Sequence, residues 1–189
     1  MLRDHSEIRP EANHANAAAR ENPFAASDVQ AMLRRRGWHT GEISPEQAAW
    51  CERAAQLLGP HAADATSLEG WLGLLFHYDA GEILAGVDSH VVLSRYGARE
   101  VLRRLAPLLI GGPPVDSNRF KEIVTALKAE MDSRGRELFH PIRLALTGRA
   151  GEGELDRVIL LMDEAAALPW QAPVKSAAAR ILEFCAALD

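Results

Sequence analysis

Apolar residues recur along this chain at helical intervals, and no stretch alternates residue by residue as a half-buried strand would. The spacing is clearest where Phe120, Ile123, Val124, Leu127 and Met131 stand at i, i+3, i+4, i+7 and i+11, a single helical stripe. Asp116 and Ser117 supply caps for that helix, and Gly135 is expected to close it. Upstream, Ser27 is placed to cap a helix that buries Val29, Met32 and Leu33, with Gly37 as its stop. Ser44-Pro45-Glu46-Gln47 is a fuller start signal: a cap, a proline at the first helical position and a glutamine at the capping-box position. The helix it opens runs to about Leu58, with Trp50, Ala54, Leu57 and Leu58 on one face, and ends at Gly59-Pro60.

SLEGWLGLLFHY, Ser67 to Tyr78, opens on another serine and is apolar almost all round, which predicts a central helix. DAGEILAGVDSH reads as a connector to GAREVLRRLAPLL, where Val101, Leu102 and Leu105 keep helical spacing. Pro141 is expected to be the first residue of a two-turn helix ended by Gly148. Leu155, Val158, Ile159 and Met162 mark another helix, and Val174 to Leu188 the last, with Ala178, Ile181, Leu182 and Cys185 inward. Gly111-Gly112-Pro113-Pro114 is the strongest break. The pattern predicts an all-α bundle of at least seven helices in two small subdomains, 27–110 and 115–189, behind a polar tail at 1–26.

Composition agrees. The chain has 189 residues, 48% hydrophobic and 25% charged, enough for a sizeable core, and only 6% aromatic. Cys51 and Cys185 stand alone, and the seven histidines, His5 and His14 in the tail among them, are scattered, so no metal or other cofactor is called for. MLRDHSEIRP carries charges where a signal peptide needs an apolar run, and no apolar stretch is long enough to span a bilayer. A soluble, cytoplasmic protein with no membrane contact is expected.

The net charge of −5 does not point to nucleic acid, but it hides a local bias. Between Ser117 and Arg149, seven cations (Arg119, Lys121, Lys128, Arg134, Arg136, Arg143, Arg149) face four anions (Glu122, Glu130, Asp132, Glu137), a local net of +3. Phosphate-binding glycine loops, HExxH and GxSxG are absent from the sequence, and Glu152, Glu154 and Asp156 read as complements to a helix dipole rather than as a metal cluster. Nothing here argues for catalysis.

GRELFHPIRLALTG resembles the C-terminal anticodon-binding domain of bacterial-type glutamyl-tRNA synthetases, which carries a Gly-Lys/Arg-x-Leu lead-in, Pro-Leu/Ile-Arg and Ala-Leu-Thr-Gly. Gly135, Arg136, Leu138, Pro141, Ile142, Arg143, Ala145, Leu146, Thr147 and Gly148 are the matching positions. DVQAMLRRRGW and ELDRVILLMDEAAAL extend the resemblance over about residues 28–168 as helical pattern. It implies that Arg143 reads the third anticodon base through a planar guanidinium fork pointing out of the core. His140 would add a stack, and Thr147, Gly148, Arg149 and the loop to Leu155 would form the opposite wall. Lys128 and Arg136 would touch RNA phosphates. A second reading arginine falls by spacing at His61, where the substitution implies relaxed discrimination.

The family's HIGH-type and KMSKS-type motifs do not occur in this sequence, so catalysis is expected from another domain or chain, with a free-standing domain favoured by the unfamiliar residues before Asp28. The expected partners are a tRNA of the Glu or Gln type and a catalytic synthetase chain. The rival expectation is an interaction module that docks to a synthetase or amidotransferase without reading RNA.

Overall fold

A computed structural model describes residues 21–189; residues 1–20, which include His5, His14 and most of the expected tail, lie outside the described residues. Among the described residues there are ten α-helices and no strand. They are α1 (Ala26–Arg35), α2 (Pro45–Leu58), α3 (Ala65–Phe76), α4 (Ala80–Ala85), α5 (Val87–Leu93), α6 (Ala98–Leu109), α7 (Ser117–Glu130), α8 (Gly135–Thr147), α9 (Glu154–Ala166) and α10 (Ala177–Leu188). A single 3-10 turn, Gly59–His61, follows α2.

Where local signals were strong, the helices start where expected. The Ser44 hydroxyl accepts from the Gln47 amide at 3.2 Å and the Gln47 side chain accepts from the Ser44 amide at 3.0 Å, a complete capping box. Asp116 caps α7 through the Arg119 amide at 2.8 Å. Other starts moved. The helix expected from Ser67 begins at Ala65, because the Asp64 carboxylate accepts from the Ser67 amide at 2.7 Å and captures the cap three residues earlier. The first helix starts at Ala26, with Asp28 accepting from the Ala25 amide at 2.8 Å in place of a Ser27 cap. The segment taken as a connector folds into α4 and α5.

The largest shift concerns α8. It begins at Gly135, not at Pro141, so the proline lies inside the helix and removes one hydrogen bond of the ladder. A proline in a helix interior costs about 3 kcal/mol. Burial offsets that cost, since every residue from His140 to Thr147 is buried. The surrounding helices explain why: α5, α6, α9 and α10 all pack on α8.

One apolar core runs from Val29 to Phe184 and is continuous past the exposed turn at 111–114. Asp163 on α9 accepts from the Val115 amide, just past that turn, and from the Ala177 amide, both at 2.7 Å, and so ties the starts of the segments leading into α7 and α10 to α9. Trp50, Phe76 and Trp170 pack edge to face at 5.1 to 6.2 Å between ring centroids, and the Trp50 indole donates to the Leu161 carbonyl at 3.1 Å.

Helix α10 lies against α4, α6, α8 and α9 and carries a fully buried arginine. Arg180 donates to the carbonyls of Leu74 (2.8 Å) and Leu75 (2.6 Å) at the end of α3, Leu146 (2.8 Å) at the end of α8, and Lys175 (3.1 Å). Its guanidinium also sits 4.5 Å over the Tyr78 ring. The negative ends of two helices take the place of a carboxylate partner. Burial pushes its pKa down to about 10, which leaves the side chain protonated at neutral pH. The inward face of α10 is therefore Ala177, Arg180, Ile181 and Phe184, and Leu182, expected inward, is 51% exposed.

Candidate nucleic-acid interface

The loop after α8 opens at Gly148, whose φ of +79° ends the helix in the left-handed region that glycine tolerates. A side chain there would also meet Ile83 at 3.1 Å. The Thr147 hydroxyl is turned inward, donating to the Arg143 carbonyl at 2.8 Å. The chain then passes Arg149 and Gly151 and re-enters a helix at Glu154.

Arg143 holds this loop from beneath. Nε donates to one Asp156 oxygen at 2.7 Å, a terminal nitrogen to the other at 2.8 Å, and the second terminal nitrogen to the Gly151 carbonyl at 2.7 Å. Its guanidinium lies 5.0 Å over the Phe139 ring, and the residue is 7% exposed. The expected outward orientation is thus corrected: α8 has neighbours on every side and offers Arg143 no solvent face. Asp156, assigned by sequence to a helix dipole, is its bidentate partner.

The other residues singled out by sequence divide into two groups. Arg149 is exposed beside the loop. Arg136 reaches the same loop, pairing with Glu152 at 3.2 Å, and Lys128 stands 5.7 Å over the Phe139 ring. Leu155 is buried with 4% exposure and His140 is buried inside α8 rather than beside it. His61 is exposed on the 3-10 turn and is not among the residues lining the clefts at the loop.

Two small clefts meet at Arg149. The first, of about 420 Å³, runs between α3 and the loop and is lined by Arg36, Glu69, Gly70, Gly73, His77 and Arg149. The second, of about 310 Å³, lies between Trp71, Asp88 and residues 149–155. Arg36 pairs with Glu69 at 3.4 Å, whereas Arg149 has no carboxylate within 4 Å among the described residues. Sequence reasoning missed Gly70 and Gly73. Each glycine in a helix interior costs about 1 kcal/mol relative to alanine. Nothing lies within 4 Å of where a Gly70 side chain would begin, so α3 exposes bare backbone to the cleft. The signal was present as two glycines one turn apart in an otherwise apolar helix.

His140 is a buried titratable group on α8, three residues before Arg143. Its Nδ1 accepts from Arg95 at 3.0 Å, and its Nε2 has no partner among the described residues. Burial first, then the charges of Arg95, Arg143 and Arg136 against Glu152, hold its pKa below the ordinary value. In the unfolded chain a histidine protonates near pH 6.5. Between the two values the unfolded state holds more protons, so stability falls as pH drops through that window and levels off below it. Melting temperature followed from about pH 7.5 to about pH 5 should therefore fall more steeply for the wild type than for His140→Gln, which keeps an acceptor for Arg95 without titrating. Parallel curves would remove His140 from this account.

A family model described as anticodon binding domain matches residues 18–166. Glutamate–tRNA ligase 2 of Syntrophus aciditrophicus (strain SB) is 24% identical over 123 residues, 65% of this chain and 25% of that relative, so the chain spans about a quarter of its length. No solved structure matches significantly. The family model covers most of the described helices, including α3, the loop at 148–153 and α9, and with it the chain belongs to the anticodon binding domain family.

Proposed function

We propose that the chain binds the anticodon arm of a Glu- or Gln-type tRNA in the clefts that meet at Arg149, with aminoacylation supplied by a catalytic domain or chain outside these residues. Family membership carries the reading, and the similarity to a glutamate–tRNA ligase supports a tRNA of the Glu or Gln class. The cleft chemistry supports it. An unpaired base needs an edge or a face to meet, and a phosphate needs an uncompensated cation. The cleft offers the bare backbone of Gly70, the exposed imidazole of His77, which Glu82 holds at 2.9 Å, and the guanidinium of Arg149. Arg143 acts from below, as the residue that sets the loop's shape, because three of its N–H groups are engaged by Asp156 and Gly151.

Titration with a glutamate-specific tRNA transcript at two salt concentrations tests this. Arg149→Glu should weaken binding about tenfold and lower the slope of log K against log salt by about one. Gly70→Ala should raise stability by about 0.5–1 kcal/mol, since its side chain has room, yet weaken RNA binding by closing the floor of the cleft. A wild type that does not bind tRNA at low salt sinks the proposal.

A further inference from the structure

A second groove lies away from the loop, between α6 and the turn joining α7 to α8, with a volume of about 930 Å³. One wall carries Arg95 and Tyr96 from the turn between α5 and α6, and Arg99 and Arg103 from α6 itself. Resting on the anticodon-arm reading above, we propose that this groove is a second RNA contact, which takes the phosphate backbone and one unpaired base of the same tRNA.

Arg104 is neutralised twice, by Glu100 at 2.8 Å and Glu130 at 3.0 Å. Glu100 is thereby engaged, and Arg103 stands 3.8 Å from it. Arg95 rests on a buried histidine that is held neutral, so the contact orients the guanidinium without cancelling its charge. Arg99 has no carboxylate within 4 Å among the described residues. Asp132 and Glu137 lie on the opposite wall, which confines an incoming phosphate to the α6 side. Arg99 and Arg103 are one helical turn apart, so both project from the same face of α6.

Tyr96 supplies the second, independent observation. It is 101% exposed, an aromatic ring with both faces bare between arginines. Bases stack on such rings without regard to sequence, and guanidinium groups beside the ring hold the phosphates on either side. Helix α5 separates the groove from the clefts at the loop. Helix α5 begins beside Asp88, which lines the cleft at the loop, and its last residue precedes Arg95 by two positions. Seven helical residues span about 10 Å, so a strand leaving the cleft reaches Arg95 within a few nucleotides.

The test uses the whole chain and the glutamate-specific transcript. Arg99→Glu/Arg103→Glu should weaken binding at least about tenfold at low salt and lower the salt slope by about two, with the preference at the anticodon bases unchanged. Tyr96→Ser should weaken binding about fivefold with little change in salt slope, as expected of lost stacking. All three side chains are exposed, so thermal melts of the variants should match the wild type. If both variants bind like wild type while Arg149→Glu is weakened, the second contact falls and the anticodon reading stands. If the wild type binds no tRNA, both fall. If Tyr96→Ser leaves RNA binding intact but dissolves a dimer seen by sedimentation, the groove is a protein interface and the proposal is overturned.

Discussion

Replacing Arg180 by leucine should lower stability by about 3–5 kcal/mol and the melting temperature by about 10 °C, the largest effect expected of any single substitution in this chain. The substitution strands the carbonyls of Leu74, Leu75, Leu146 and Lys175 in a dry interior, where each unmet acceptor is costly. Arg180→Lys keeps the charge but not the fork, and a single ammonium cannot span the ends of two helices, so it should recover only part of the loss. Those ends lead into His77 and Arg149, so tRNA binding should disappear at the temperature where the variant begins to unfold. A melting temperature within a degree or two of wild type would show that the four bonds contribute little.

Arg143→Ala should cost about 3 kcal/mol and remove most tRNA affinity, and Asp156→Ala should match it in both respects. Either change leaves a partner unpaired, Asp156 on one side or the guanidinium on the other, and either frees the loop carbonyl of Gly151 or the helix start that anchors it. The equality is the informative part. A residue that positions the loop is lost equally by deleting either half of the pair. A residue that reads a base is lost only with the arginine, and Asp156→Ala would then keep the preference for the third anticodon base while Arg143→Ala relaxed it. Titrating both variants against two transcripts differing at that base, beside their thermal melts, separates the roles. A double-mutant cycle should also return a coupling of about 1.5–3 kcal/mol.

The two arginines also mark where sequence ceased to be enough. The all-helical class, the capping box at Ser44 and the stripe on α7 were legible because each depends on residues within one or two turns of one another. The family was legible too, from Pro141, Arg143 and Ala145 to Gly148, and the comparisons bear it out. Competing local signals blurred the boundaries: Asp64 stands three residues before Ser67, and both can cap a helix.

Orientation was decided elsewhere. The apolar spacing of α10 put Leu182 on the inward face and gave no role to Arg180; the fold buries the arginine because the ends of α3 and α8 converge on it, and Leu182 turns outward. Treating Pro141 as a helix start left His140 outside and Arg143 in the first turn, whereas packing by four helices draws both into the interior of α8. Asp156 lies 13 positions from Arg143, and Leu74 lies 106 positions from Arg180. The sequence by itself determined the family and the helices other than α4 and α5, because caps and apolar periods act over a few residues. Which charges face water was decided by tertiary structure alone, because a guanidinium is held inside only where acceptors distant in the chain are brought around it.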